Sequence, residues 1–133
     1  MLAADATTIN RAHRYRRMLG AAMRQVGIFA AAADHALDHH QHDLVTDHAN
    51  ARALAEILAA SDAIDLDPSK VETNIVIFQP NAASPAQVAE RALAAGVAVL
   101  AMGDVVRAVT HRDVSTEECL HAARCLVAAA EAS

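Results

Sequence analysis

Arginine is the residue type with which this chain could do the most chemistry. Arg11, Arg14, Arg16, Arg17 and Arg24 crowd the first 24 residues, and Arg107 stands apart from them between Val105-Val106 and Ala108-Val109. A guanidinium set in an apolar strand is costly unless an anion meets it. Its planar fork suits a carboxylate, held by two parallel hydrogen bonds. The residues by themselves leave two further readings of Arg107 open, a structural salt bridge and an exposed position on an edge strand. The chain has one lysine, Lys70, in Asp67-Pro68-Ser69-Lys70 ahead of an apolar run, and it reads as a solvated loop residue. His35, His39, His40, His42 and His48 form a cluster. His35 and His39 are four apart and His39 and His42 three apart, so a helix would bring them to one face, where Asp38 or Asp43 could complete a zinc site. A polar surface where two helices meet accounts for the same residues, and no metal is expected. His111, between a strand and a turn, reads as a structural or capping residue rather than a proton carrier.

Composition bounds what these side chains can serve. With 133 residues the chain is long enough for one domain at most. The hydrophobic fraction is 54%, dominated by alanine, and the aromatics are Tyr15, Phe29 and Phe78. Such a core buries little area per residue, so modest stability or burial against a partner is expected. Residues 1–33 carry five arginines and one aspartate, while the remainder carries six basic and fifteen acidic residues. A basic head on an acidic body can face an anionic ligand, but the overall acidity and the lack of aromatics argue against nucleic acid. No apolar run approaches the ~20 residues that span a membrane. The Arg- and Ala-rich start also fits an organellar transit peptide. Cys119 and Cys125, six apart, fall on different sides of a helix, which disfavours a disulfide and suits a reducing, cytoplasmic setting.

Several elements must position the arginines. Residues 1–10 show no pattern and read as a frayed lead-in. Helix is expected from about Arg11 to His40, with Gly20 and Gly27 as weak points. Its small apolar run Ala21 to Ala33 reads as buried. A second helix, Asp43 to Ala60, has an apolar face of Leu44, Val45, Ala51, Leu54, Ala55 and Leu58. A loop over 61–70 contains a short strand near 63–66, and Thr73 to Phe78 reads as a buried strand. Ser84-Pro85-Ala86-Gln87 opens a helix that ends at Gly96. Val97 to Ala101 and Val105 to Thr110 are strands about a Gly103-Asp104 turn. Ser115-Thr116-Glu117-Glu118 caps a last helix burying Leu120, Ala123, Leu126 and Val127. The order implies an α+β fold, a two-layer small domain with a short, mostly antiparallel sheet and helices on one face.

Four segments carry a resemblance. Arg14-Tyr15-Arg16-Arg17-Met18-Leu19-Gly20-Ala21-Ala22-Met23-Arg24-Gln25-Val26-Gly27 closely resembles a segment of the pyridoxal-phosphate-dependent, low-specificity threonine aldolases. Asp47-His48-Ala49-Asn50-Ala51-Arg52-Ala53-Leu54, Val71-Glu72-Thr73-Asn74-Ile75-Val76 and the run from Val106 to Ser115 resemble later segments, in the same order and at compatible spacing. Together they cover residues 9–130 or so. The resemblance implies the C-terminal domain of a fold-type-I pyridoxal-phosphate enzyme, over residues 11–133.

It further implies roles. Arg107 corresponds to the residue that binds the substrate carboxylate. Arg24 corresponds to a cofactor-phosphate position, with Arg17 as its support, while Arg14 and Arg16 read as surface charges. The departure is Ala21-Ala22, where the family usually has glycines, and extra methyl groups there restrict close backbone approach. The family cleaves β-hydroxy amino acids to glycine and an aldehyde, and needs a lysine to attach the cofactor. Lys70 does not lie in the corresponding motif. The chain is therefore expected to be an inactive half-site that joins a homo-oligomer or a separate large-domain chain. The alternative is a non-catalytic oligomerisation or interaction module. Neither nucleic acid nor membrane is expected as a partner.

Overall fold

The computed structural model describes residues 2–132, and the chain divides into two compact units, 1–39 and 40–133. The first unit holds α1 (Ala6–Met18) and α2 (Gly27–His39). The expected frayed lead-in and the continuous helix from Arg11 both give way here. Asp5 caps α1, accepting from Thr8 N at 3.0 Å and Thr8 Oγ1 at 2.7 Å, so the helix begins five residues early. It ends at Met18, where Leu19 N bonds Tyr15 O and Gly20 N bonds Arg17 O. Gly20 then turns left-handed at φ 68° and Gln25 at φ 52°, which helix cannot accommodate. The apolar run expected to be buried is open instead: neither α1 nor α2 contains a buried residue.

The second unit is a two-layer α+β domain. Its elements are α3 (Asp43–Ala59), β1 (Ile64–Asp65), a 3-10 turn at Pro68–Lys70, β2 (Ile75–Pro80), α4 (Pro85–Ala94), β3 (Leu100–Met102), β4 (Val105–Val109) and α5 (Thr116–Glu131). The four strands are antiparallel in the order β1-β2-β4-β3. α3 packs on β1 and β2, α4 packs on β2, β3 and β4, and α5 packs on both helices. The core is Leu54, Leu58, Val76, Phe78, Val88, Val106 and Leu126 with the small alanines between them.

Several expected faces shift by a residue or two. β2 is buried on one side only, at Val76, Phe78 and Pro80, because helices cover a single face of the sheet. β3 begins at Leu100 rather than Val97. On α3, Leu44 and Val45 are exposed, and Asp47 and Asn50 are buried in their place. On α5 the buried set is Cys119, Ala123, Leu126, Ala129 and Ala130, with Leu120 and Val127 half-buried. Both capping boxes form: Gln87 N bonds Ser84 Oγ at 3.3 Å while Ser84 N bonds Gln87 Oε1 at 3.0 Å, and Ser115 and Glu118 repeat the arrangement.

A hydrogen-bonded knot ties the layers. The Thr110 hydroxyl donates to the Asp47 carbonyl of α3 at 2.7 Å, and Asn74 Nδ2 donates to the Thr110 carbonyl at 2.8 Å. Thr110 N returns a bond to the Asn74 carbonyl at 3.0 Å. Thr110→Val removes the buried donor and should lower unfolding stability by about 1–3 kcal/mol in urea titration. Hydrogen bonds from the Ser115 hydroxyl and then the Ser115 N–H hold the Glu118 carboxyl below its ordinary 4.5. The native state therefore favours the ionised form. That stabilisation is present above the ordinary value and is lost as pH falls through the lower folded one. Ser115→Ala should flatten this acid limb in melting temperatures measured from neutral pH to pH 3.

Candidate functional site

β4 alternates strictly. Val106 and Ala108 point into the core, so Val105, Arg107 and Val109 point to the uncovered face. Register sets Ile77 of β2 on one side of Arg107 and Leu100 of β3 on the other. Ile77 and Leu100 are 50% and 53% exposed, so an apolar pair flanks the guanidinium on an open sheet. Arg107 itself is half-buried, and among the described residues it forms no hydrogen bond or ion pair. The salt-bridge reading of this arginine is therefore excluded within the described chain, and its place on interior strand β4 excludes the edge-strand reading. A recess of about 380 Å³ beside it is lined by Ile75, Ile77, Gln79 and Val105 and bordered by Asp67 and Lys70.

Arg17 and Arg24 belong to the first unit. Arg17 is exposed in the last turn of α1, and Arg24 is exposed in the turn that precedes α2 rather than inside a helix. Neither makes a hydrogen bond or ion pair through its side chain among the described residues. Arg14 and Arg16 are likewise exposed. The Ala21-Ala22 departure falls in the irregular segment between α1 and α2, whose shape rests on Gly20 and Gln25.

The histidines separate. His35 and His39 share α2 with ring centroids 4.5 Å apart. His40 and His42 lie beyond the end of α2, and both meet Asp43 at 3.2 Å. Arg112 Nη1 sits 3.0 Å and 2.8 Å from the two ring nitrogens of His40. Among the described residues no three His, Cys, Asp or Glu side chains converge as metal ligands. The break after His39 is the reason, because it removes the common helix face that His39 and His42 would share. His111 Nδ1 accepts from Asp113 N at 3.3 Å, a turn contact. Lys70 is exposed and pairs with Asp67 at 3.6 Å.

A cleft of about 420 Å³ opens on the helix side of the sheet between residues 95–99 and the end of β4, walled by Leu54, Val97, Ala108 and Leu126. None of the three arginines lines it. Cys119 is buried there, and burial, then the nearby Glu118 and Asp47 charges, push its thiol up from 9.0. Two arrangements escaped the sequence. One is the Thr110 knot, which has no local signature. The other is the contact of His121 with Cys125 on α5, legible only as a four-residue spacing.

Residues 1–81 match the beta-eliminating lyase family. The chain belongs to that family. It is 37% identical to the low specificity L-threonine aldolase of Escherichia coli K12 over 118 residues, 89% of this chain and 34% of the relative. It is 31% identical to the low-specificity L-threonine aldolase 1 of Arabidopsis thaliana over 121 residues, again 34% of that protein. The probable low-specificity L-threonine aldolase 2 of the same plant is 41% identical over 68 residues. The chain thus spans about a third of the length of the two relatives that cover most of it. No described helix is long and apolar enough to cross a membrane.

Because Arg107 holds no partner within the described chain, Arg107→Leu should leave stability within about 0.5 kcal/mol of the parent in urea unfolding. A structural ion pair would show a clear loss instead.

Proposed function

We infer that this chain provides the substrate-carboxylate and cofactor-phosphate half-site of a pyridoxal-phosphate-dependent, threonine-aldolase-like lyase. The observation that carries the reading is Arg107, a half-buried guanidinium between Ile77 and Leu100 with its donors uncommitted among the described residues. A partly covered guanidinium between apolar side chains, with no partner of its own, suits a planar anion. The relatives' names point to an amino-acid substrate, which offers an α-carboxylate.

The donor chemistry of the chain fits the cofactor in part. Arg24, with Arg17, has exposed and uncommitted guanidinium donors suited to a phosphate dianion. Pyridoxal phosphate, when bound, supplies the electron sink for cleaving a β-hydroxy amino acid into glycine and an aldehyde. Arg107 would hold and orient the carboxylate, and the first-unit arginines would anchor the phosphate. Lys70 does not fit the attachment role. It is exposed and ion-paired with Asp67 at the end of the 3-10 turn, on the border of the recess that Ile77 and Val105 line. The attachment lysine is assigned to a large domain outside the given residues, and the assembled enzyme to a homo-oligomer. The interaction-module reading has one observation in its favour, the exposure of Ile28 and Phe29 on α2 at 73% and 64%.

Incubation of the chain with pyridoxal phosphate and borohydride should give no stoichiometric adduct at Lys70, and threonine should give no glycine. An adduct at Lys70 accompanied by glycine formation would overturn the half-site reading. Addition of a lysine-bearing large-domain chain should restore glycine formation. In that mixture Arg107→Ala should raise the threonine KM by at least about 30-fold, the equivalent of about 2 kcal/mol. Arg107→Lys should recover part of the loss. Restored activity that is indifferent to Arg107 would sink its assignment as the carboxylate clamp.

A further inference from the structure

The open face of the sheet sets Arg107 in an apolar surround. Ile77 and Leu100 pair with it in register on either side, and Val105 and Val109 precede and follow it by two residues on the same strand. Side chains two apart on a strand share a face. Ile77, Leu100 and Val109 are exposed and Val105 is half-buried. From Ile77 and Val105 the surface dips into the recess of about 380 Å³, whose walls add Ile75 and Gln79. Clustered exposed apolar side chains are characteristic of binding surfaces.

Charge is unevenly placed around this patch. Arg107 brings a guanidinium with no partner among the described residues. Asp65 of β1 is exposed and paired in register with Gln79, two strands from Arg107 and so roughly 10 Å away across the sheet. Asp67 and Lys70, also on the recess border, offset each other as an ion pair. A ligand lying from Arg107 into the recess therefore meets a cation at one end and a net negative border at the other. A carboxylate is favoured at the first end by the fork of the guanidinium. A second carboxylate at the far end is repelled, within the screening length of physiological salt.

We propose that the Arg107 face binds organic monocarboxylates with an apolar body, the carboxylate on the guanidinium and the body along Ile77 and Val105 into the recess. The inference rests on the reading of Arg107 as a carboxylate clamp and adds the class of acid that the surface beside the clamp prefers. Short acids gain the ionic contact alone. Each methylene laid over the patch adds affinity in proportion to the apolar area it covers. Dicarboxylates of the same length lose that gain at Asp65.

The test titrates the chain itself with acetate, hexanoate and adipate, followed by proton–nitrogen and methyl NMR spectra. Hexanoate should bind at least about tenfold tighter than acetate, a gain that needs burial of only about two methylene groups. It should shift the Ile77, Leu100 and Val105 methyl signals and the Arg107 Nε–H. Adipate should bind no tighter than acetate. Arg107→Leu should abolish binding of both monocarboxylates. Ile77→Ser should bring hexanoate within about threefold of acetate and leave acetate unchanged, with circular dichroism verifying that each variant is folded. Equal affinity for acetate and hexanoate, both lost in Arg107→Leu, overturns the apolar site and leaves the clamp standing. Adipate as tight as hexanoate overturns the monocarboxylate class. Hexanoate binding that ignores Arg107→Leu, or that shifts Leu54 and Leu126 in the helix-side cleft instead, overturns the site. Absence of binding by all three acids overturns it as well, whereas the clamp reading falls only if the reconstituted lyase is indifferent to Arg107.

Discussion

The second unit depends on the bonds at Thr110. Its hydroxyl reaches the Asp47 carbonyl on α3, and its backbone exchanges bonds with Asn74 at the entry to β2. One residue thereby joins three stretches separated by tens of positions in sequence. A buried hydroxyl–carbonyl bond is modest in net energy but costly to leave unmade, so the arrangement is strongly directional. Nearby, the Thr116 hydroxyl donates to Asn50 Oδ1 at 2.8 Å, which seats the start of α5 on α3. Asn50 Nδ2 is buried without a hydrogen-bond partner among the described residues, so the amide is held by its oxygen alone.

The consequence for the site is one of register. Strand side chains alternate with period two, so a one-residue slip of β4 would exchange Val106 and Ala108 for Arg107 in the core. The knot at Thr110 lies three residues beyond Arg107 and pins the same strand. Core packing pushes the same way, because Val76, Phe78, Val106 and Ala108 fill the helix-covered face and leave no space for a guanidinium. Arg107 therefore emerges between Ile77 and Leu100 on the uncovered side. An antiparallel sheet commonly keeps one face solvated and polar. Here that face carries Ile77, Leu100, Met102 and Val109, all exposed. Arg107 thus shares its open face with apolar side chains.

Much of this was legible beforehand, for local reasons. Ser84-Pro85-Ala86-Gln87 and Ser115-Thr116-Glu117-Glu118 each satisfy orphan helix amides with their own side chains, so both helix starts follow from short stretches of sequence. Gly103-Asp104 between apolar runs gave the hairpin, and α3 ends within a residue of its expected limit. The α1 start was legible too, in Asp5 followed by Thr8, but the absence of an apolar period around it hid the cap. Gln25 was not legible: a left-handed glutamine is unfavourable on its own and appears only where the surrounding chain imposes it.

What the sequence determined by itself was element type, strand alternation and the presence of an arginine on an apolar strand, all set by interactions within a few residues. What the tertiary structure decided was which face is covered. Leu44 and Val45 continue the apolar stripe of α3 yet are exposed, while Asp47 and Asn50 are buried, because α5 and the Thr110 turn pack against that side of the helix. The same choice leaves the Arg107 face open. Periodicity names the two faces of an element, but only the neighbours that pack against it select the one that is dry.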